Sequence, residues 1–442
     1  MANLITNISK YLVILLIAIY TYYNFRFFGI RDEWGKRRLC RLQNAVMVLI
    51  HTLAYMIIYL RTEDEKTLMF FGAQMLFFFL YMGLYRLFYR NFSRLLLNNA
   101  CMLLSTSFII LTRISMDRAV RQFAIVAVAA AVTMIIPFIM DRAWQLSKIP
   151  WVYGSIGLIL LLVVCVMGNT AFGAQLSINI GGFSFQPSEF VKISFVFFVA
   201  TMFYRSMDFK TIAVTTAVAA AHVLVLVLSK DLGSALIFFV TYLLMLFVAT
   251  GNWFYLGLGA GSGAAAAVIA YNLFSHVRTR VEAWLDPWSD ISGKGYQISQ
   301  SLFAIGTGGW FGMGLYQGMP SKIPVVEKDF VFSAISEEMG GIYAICLILI
   351  CLGCFMQFMM IAANMQAVFY KLIAFGLGTT YIVQVFLTIG GVTKFIPSTG
   401  VTLPFVSYGG SSILSTFIVF NVVQGLYILK RNEEEEDYDE EE

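Results

Sequence analysis

The chain has 442 residues, of which 59% are hydrophobic and only 13% are charged. A typical soluble domain carries about 25% charged residues, so the composition indicates an integral membrane protein and excludes an ordinary soluble enzyme. The formal net charge is +4, although the segment 433–442 is acidic apart from Tyr438. The remaining chain is therefore strongly basic, which favours anionic lipids and substrates. No basic cluster suited to nucleic acid is present, so we exclude that partner.

Apolar segments of about 20 residues, the length that spans a hydrocarbon core of about 30 Å, recur along the chain. The strands of a membrane barrel would be half as long and would alternate in polarity, so the pattern predicts a bundle of helices. We predict about thirteen membrane helices, at 11–29, 44–60, 67–89, 97–112, 121–141, 151–168, 188–204, 211–229, 232–249, 254–273, 331–357, 366–389 and 411–429.

The distribution of Lys and Arg predicts how these helices are oriented. The basic loop 31–43 is expected in the cytoplasm, which puts the N-terminus outside and the C-terminus inside. Alternation then places three loops outside, at 169–187, 274–330 and 390–410. Three arginines fall on the outer face against the general bias: Arg113, Arg118 and Arg121.

The loop 274–330 is long, polar and rich in glycine, which is typical of a functional loop. Within it, Asp290 precedes the segment Gly293-Lys-Gly-Tyr-Gln297, and a glycine-rich turn can aim a carboxylate. Glycosyl transfer needs a base that removes a proton from the acceptor hydroxyl, and one positioned Asp suffices. A turn-capping role is the alternative for Asp290. Asp286, which precedes Pro287, is expected mainly to shape the turn.

Basic side chains on this face could stabilise a diphosphate leaving group. Arg280 is the strongest candidate because it lies just before Trp284 and Asp286, and Lys294 and Lys394 are further candidates. A solvated loop surface is the alternative role for these cations.

Several acidic residues are expected at or near membrane helices. Glu189 and Lys192 are one turn apart, where they form either a functional pair or a structural salt bridge. Asp231 is expected to cap the next helix, and Asp329 to favour a helix N-terminus. Glu337 and Glu338 lie deeper and are candidates for a polar cavity or a cation site.

The segment 398–412 is rich in Gly, Ser and Thr, and it includes Ser407. Irregular backbone at the membrane edge is tolerated where it is buried or lines a cavity. We therefore interpret this segment as the wall of a lipid-headgroup site, with a re-entrant connector as the alternative. The six cysteines are mostly in apolar segments and are expected to pack rather than to bind metal.

Four segments in a fixed order resemble the SEDS family of shape, elongation, division and sporulation proteins. They are Phe185-Gln-Pro-Ser-Glu-Phe-Val-Lys192, Asp231-Leu-Gly-Ser-Ala235, the stretch from Gly293-Lys-Gly-Tyr-Gln297 to Glu337-Glu338-Met-Gly340, and Pro397 to Ser411. The resemblance implies a ten-helix core, here within 96–430. About three extra transmembrane helices would form an extension at 1–95, and an acidic cytoplasmic tail, expected to be disordered, would follow at 431–442.

The resemblance also implies a function. Family members polymerise lipid II into the glycan strands of peptidoglycan at the outer face of the bacterial cytoplasmic membrane, usually beside a class B penicillin-binding protein. The position that matches the family's essential Asp is Asp290. Substrate contacts are then expected from Arg280, Lys294, Gln297, Glu189, Lys192, Lys394 and Ser407, with Asp286, Asp231, Asp329, Glu337 and Glu338 as secondary candidates. No metal ligands are assigned, although help from Mg²⁺ or Mn²⁺ is compatible with this chemistry.

The chain departs from the family pattern at three positions. Ser177 replaces an expected Trp, Lys230 an expected Pro, and Val325 a frequent Glu. Two other functions remain open. Membrane charges such as Glu189, Lys192 and Glu337 also suit a transporter that flips lipid-linked precursors, and the departure at Ser177 is compatible with an inactive scaffold for a synthase partner.

Overall fold

The computed structural model describes residues 2–141, 143–171, 174–180 and 183–441. These residues are mostly helical, in agreement with the predicted class. The α-helices are α1 Ala2–Gly29, α2 Glu33–Thr62, α3 Glu65–Phe88, α4 Arg94–Ile114, α5 Met116–Thr133, α6 Ile136–Asp141, α7 Pro150–Met167, α8 Ser188–Arg205, α9 Phe209–Leu228, α10 Leu232–Thr250, α11 Trp253–Leu273, α12 Ser275–Leu285, α13 Tyr296–Gly308, α14 Val331–Met339, α15 Gly341–Asn364, α16 Val368–Val392 and α17 Gly410–Glu441.

Twelve spans in the described residues are long and apolar enough to cross a membrane. The prediction of thirteen spans differs at α8, which is helical over 18 residues but carries Glu189, Lys192 and Arg205. The predicted span at 97–112 corresponds to α4, whose membrane-length segment is completely buried. By contrast, α11 has no buried residue.

The predicted continuous helix at 331–357 is wrong, because α14 ends at Met339 and α15 begins at Gly341. Gly340 lies between them with φ of 92°, and a Cβ at this position would be 2.6 Å from the Trp310 carbonyl oxygen. Backbone hydrogen bonds join the segment 309–314 to the ends of both helices at this break. One of them runs from the Met313 N–H to the Glu337 carbonyl at 2.9 Å. The helix therefore breaks where the backbone of the loop 274–330 packs against it.

The predicted loop 169–187 contains a small antiparallel sheet that sequence reasoning missed. Its strands are β1 Asn169–Ala171, β2 Ala174–Ile180 and β3 Phe183–Phe185, in the order β1-β2-β3. Ser177 pairs with Asn169 in this sheet, so the departure from the family Trp falls on a strand.

The described chain divides into two compact units. Unit 1 contains residues 2–130, 282–357 and 388–409, and α4 forms its buried centre, where it packs against α2 and α14. Unit 2 contains 131–281, 358–387 and 410–441, and its core forms where α8 packs against α7, α10 and α17.

The expected disorder of the acidic tail is wrong, because α17 continues to Glu441. Two ion pairs support the helix at this point: Lys430 Nζ is 3.1 Å from Glu434 Oε1, and Arg431 Nη1 is 3.4 Å from Glu434 Oε2. Pairs with this spacing stabilise a helix surface by a few tenths of a kcal/mol each.

Candidate functional site

Asp290 lies in the tight turn between α12 and α13, within unit 1, and its side chain is exposed. The Asp290 carbonyl accepts hydrogen bonds from the backbone N–H groups of Gly293 and Gly295, which close the turn. One carboxylate oxygen, Oδ2, accepts a bond from the Lys294 N–H at 3.0 Å. The turn therefore fixes the direction of the carboxylate and leaves Oδ1 open.

The two glycines after Asp290 are required by close packing. A Cβ on Gly293 would lie 2.6 Å from Asp290 Oδ1, so only glycine leaves room for the carboxylate over the turn. A Cβ on Gly295 would clash with the Pro287 carbonyl oxygen and lie 2.8 Å from its carbon. The Gly-x-Gly element thus allows the chain to fold closely around Asp290.

Asp286 shapes this turn, as predicted. Its Oδ1 accepts a hydrogen bond from the Trp288 N–H at 3.1 Å, and its carbonyl accepts one from the Ser289 hydroxyl at 2.9 Å. Together these bonds form a local cap, which is a common role of Asp in turns.

The predicted substrate-binding side chains of the loop lie close in sequence to this turn. Gln297 is exposed in the first turn of α13. The Lys294 ammonium is 3.0 Å from Glu282, in a pair in which both side chains are about half exposed. Trp284 Nε1 donates to the Lys394 carbonyl at 3.1 Å, which joins α12 to the loop after α16.

The loop 393–409 packs against the end of the loop 274–330. The Ser407 hydroxyl donates to Lys328 O at 2.5 Å and accepts from Leu403 N–H at 2.9 Å, and Ser407 is buried. Its hydroxyl therefore holds the loop together instead of pointing at a substrate. Asp329 Oδ2 lies near Gly400 of the same loop.

Glu337 and Glu338 are buried in α14 and have partners within unit 1. Arg113 Nε donates to Glu338 Oε1 at 2.8 Å, and the Arg113 guanidinium lies 4.2 Å from the centre of the Tyr316 ring. Glu337 Oε1 accepts a hydrogen bond from the Met319 N–H at 2.9 Å. These contacts connect α4 with the loop 274–330.

The partners of these carboxylates were missed from the sequence. Arg113 pairs with Glu338, and Arg118 forms a salt bridge with Glu327. Both arginines belong to the three that fall on the predicted outer face, against the usual bias of Lys and Arg towards the cytoplasm. This departure was the sequence signal that could have identified them as partners of buried carboxylates. Buried Gln122 was also missed; it donates to Ser407 O at 3.0 Å and so supports the same loop.

Glu189 and Lys192 form a buried network within unit 2. Lys192 Nζ is 2.5 Å from Glu189 Oε2 and 2.7 Å from Gln384 Oε1. The Ser415 hydroxyl also donates to Glu189 Oε2, at 2.9 Å. Three helices thus supply partners for both charges, and this geometry favours the structural alternative.

Asp231 caps α10, as predicted, by accepting a bond from the Ser234 N–H at 3.1 Å. It also accepts one from the Ser188 hydroxyl at 3.1 Å, which ties the Gln-Pro-Ser-Glu segment to the start of α10.

Two basic residues, Arg280 and Lys230, lie near His276 in unit 2. Burial, together with the positive charges of Arg280 and Lys230, lowers the pKa of His276, which is therefore neutral near pH 7. The positive charge of this group of three side chains comes from Arg280 and Lys230.

Lys230 has φ of 63°, which a proline ring cannot adopt, so the Pro expected from the family pattern would not fit this turn.

Comparison with known proteins decides the family. The family model for FtsW, RodA and SpoVE, described as cell cycle protein, matches residues 85–432. The chain belongs to this family. The resemblance seen in four sequence segments is confirmed, and the match begins in α3, so that α1 and α2 lie outside it.

Relatives within the family carry enzyme names. The peptidoglycan glycosyltransferase RodA of Mycobacterium tuberculosis is 34% identical over 313 residues, which is 66% of this chain and 66% of that protein. A probable peptidoglycan glycosyltransferase FtsW of a Geobacter species is 32% identical over 62% of this chain and 76% of its own length. The chain thus aligns with about two thirds of the length of the RodA relatives.

Solved structures support the fold. One chain of a peptidoglycan synthase complex that coordinates polymerization and crosslinking aligns with a TM-score of 0.64 at 24% identity. The alignment covers 77% of this chain and 98% of that chain. The SEDS fold and the multi-pass membrane character of the chain are therefore confirmed.

The described residues contain no group of three or more His, Cys, Asp or Glu side chains placed to hold a metal ion. Mg²⁺ is often held by one or two carboxylates together with substrate phosphates, and Asp290 alone would supply one such ligand. The residues present do not form a metal cage of their own in this SEDS protein, and we derive no catalytic step through a metal.

Proposed function

We propose that this chain is a peptidoglycan glycosyltransferase that polymerises lipid II, with Asp290 as the general base. The observation that carries the proposal is the turn around Asp290. The Lys294 N–H fixes one carboxylate oxygen, two glycines allow the chain to fold closely around it, and the other oxygen is open. Asp286 in the same turn is also exposed, but Asp290 is the acidic residue that most closely precedes the Gly293-x-Gly295 element and so matches the family's essential Asp.

In the proposed reaction, Asp290 accepts the proton of a sugar hydroxyl as that hydroxyl attacks the anomeric carbon of a lipid-linked disaccharide. The bond between the anomeric carbon and the diphosphate oxygen breaks, the configuration inverts, and polyprenyl diphosphate leaves. A positioned base of this kind typically contributes a factor of about 10² to 10⁴ to the rate.

The leaving diphosphate carries concentrated negative charge, so cations would stabilise its departure. Lys294 is the candidate in the turn itself, and its half-exposed pair with Glu282 is weak enough to exchange for a phosphate. Arg280, beside neutral His276, is the candidate in α12. Lys394 and Gln297 complete the proposed contacts, although no observed hydrogen bond links their side chains to the turn.

The other candidate residues are assigned supporting roles. Ser407 joins the loop 393–409 to Lys328, and Glu337 and Glu338 bind Met319 and Arg113, so all three support loop structure within unit 1. Asp329 neighbours Gly400 and remains a secondary candidate. Glu189, Lys192 and Asp231 stabilise helix packing, which weakens the transporter alternative, because each of these charged groups already has partners.

The proposed orientation puts the N-terminus and the loop 274–330 outside the bacterial cytoplasmic membrane, with the C-terminus in the cytoplasm. The donor must then be lipid-linked, because nucleotide sugars are not available on that face. The similarity to a chain of a synthase complex supports a class B penicillin-binding protein as partner.

The test is polymerisation of purified lipid II by the detergent-solubilised protein, alone and with a class B partner. The wild type should form glycan chains, and Asp290→Ala should reduce their rate at least about a hundredfold. Equal rates in a folded Asp290→Ala protein would remove Asp290 from the chemistry. No chains from the folded wild type with its partner present would favour the transporter or the scaffold.

A further inference from the structure

A strongly basic pocket lies at one end of the N-terminal helices, entirely within unit 1. It is lined by Arg37 and Arg41 of α2, Arg86 of α3 and Arg94 of α4. The start of α2, the end of α3 and the start of α4 meet here, because consecutive helices run in opposite directions. The family match begins within α3 at residue 85, so α2 with Arg37 and Arg41 lies outside it, whereas Arg86 and Arg94 lie inside it. None of these four arginines belongs to the Asp290 turn or to its proposed substrate contacts.

The four guanidinium groups lack acidic partners in the described residues, and the lining contains no carboxylate. The nearby acidic residue Glu33 is 3.3 Å from Lys36, which does not line the pocket. The charges of Arg37, Arg41 and Arg86 all act on Arg94, so the pocket concentrates mutual repulsion. An anion from outside the chain would relieve this repulsion.

The other polar groups of the pocket restrict the ligand. Asn44 also lines the pocket, and the buried Asn44 Oδ1 has no hydrogen-bond partner in the described residues. This oxygen can accept a hydrogen bond from a hydroxyl, whereas the arginines would bind phosphate oxygens.

The surface beside the pocket is apolar. Leu87 and Phe88, which follow Arg86 in α3, are 75% and 62% exposed. In a membrane protein such residues contact acyl chains, so phosphate-binding and chain-binding surfaces adjoin at this end of α3. A soluble phosphate compound would contact only the phosphate-binding surface.

We propose that the pocket binds a phosphate group, and that an anionic phospholipid with a hydroxyl-bearing headgroup, such as phosphatidylglycerol, supplies it. Basic pockets between membrane helices are known to bind anionic headgroups. This site is separate from the Asp290 turn, and it holds whether or not the chain is a glycosyltransferase. It gives the N-terminal extension a role in lipid binding.

Native mass spectrometry of the full-length protein, titrated with phosphatidylglycerol or phosphatidylcholine, tests this proposal. We expect the wild type to prefer phosphatidylglycerol at least about tenfold. The variant R41Q/R86Q should lose about thirtyfold in affinity, because each basic residue contributes about 1 kcal/mol and every 1.4 kcal/mol is a factor of about ten. The matched control R31Q/R38Q removes two arginines outside the pocket and should change affinity less than about threefold.

Equal losses in the two double variants would overturn the proposal, because the attraction would then be diffuse. If R41Q/R86Q does not fold, Asn44→Asp provides a second test, since it adds a negative charge to the pocket and should weaken phosphatidylglycerol binding. Unchanged binding in folded Asn44→Asp would contradict the site. Displacement of phosphatidylglycerol by millimolar inorganic phosphate would show that a soluble anion, and not the lipid, supplies the phosphate group. That outcome would overturn the proposal of a lipid site.

Discussion

The turn around Asp290 and the network around Glu189 each place a carboxylate within four residues of a lysine, but their surroundings are opposite. Asp290 is exposed, and its one observed side-chain bond is to the Lys294 N–H, while the Lys294 ammonium binds Glu282 instead. Glu189 is only 9% exposed and is held by both Lys192 and Ser415.

This difference separates the proposed general base from a structural carboxylate. A carboxylate whose partners are all internal gains nothing from a substrate, and removing a partner leaves a charge unpaired. A carboxylate fixed at one oxygen and open at the other can still accept a proton. A charge placed in a membrane helix is therefore weak evidence of a site until its partners are known.

Breaking the buried network should give the largest change in stability. We expect Lys192→Met to lower the free energy of unfolding by about 3–5 kcal/mol, because it leaves Glu189 charged and unpaired in the core. Thermal unfolding in detergent measures the effect. The double variant Glu189→Gln/Lys192→Met should recover most of this loss, and a double variant no more stable than the single one would contradict the structural role.

Local patterns in the sequence predicted the local features of both regions. The Asp-Pro pair predicted the turn shaped by Asp286, and the helix start after Lys230 predicted the cap made by Asp231, because both effects act over a few residues. Four motifs in order predicted the family. The helices at the predicted spans follow from apolar length alone.

Contacts between distant residues could not be predicted in this way. The partner of Glu338 is Arg113, 225 residues earlier, and no local rule selects it. The break at Gly340 depends on the backbone of Trp310 packing against it, which sequence periodicity does not reveal. Whether Glu189 and Lys192 are structural likewise depended on Gln384 and Ser415, which only the folded chain brings to them.

Substitution of a glycine in the Asp290 turn should disturb that turn and leave the rest of the protein unchanged. In Gly295→Ala the new methyl group meets the Pro287 carbonyl, which is rigid backbone, so the turn must shift. A displacement of about 1 Å in a catalytic group can cost roughly a hundredfold in rate, and we expect a loss of that size in lipid II polymerisation.

Gly306→Ala in α13 is the matched control for this variant. A Cβ at Gly306 meets nothing within 4 Å, and alanine favours a helix, so polymerisation should remain near the wild-type rate. Similar rates for the two variants would show that the shape of the turn does not matter for catalysis.

Removing the cap of the turn should have a smaller effect. Asp286→Ala deletes the acceptor of the Trp288 N–H, and loss of such a bond typically costs about 1 kcal/mol. We expect polymerisation to fall severalfold, because the turn samples other conformations. Asp286→Asn keeps the acceptor oxygen and should retain most activity; if it is as impaired as Asp286→Ala, the Asp286 charge acts directly in the reaction.

The exposed pair of Lys294 and Glu282 should give the smallest change in stability and the sharpest test of the comparison. Exposed ion pairs contribute about 0–1 kcal/mol, so Lys294→Gln and Glu282→Gln should each leave the unfolding temperature almost unchanged. Their activities should differ. Lys294→Gln removes a cation that would stabilise the leaving diphosphate and should slow polymerisation, whereas Glu282→Gln frees that cation and should not. If both variants slow polymerisation equally, the ion pair itself maintains the turn, and the Asp290 region is then held by internal partners as the Glu189 network is.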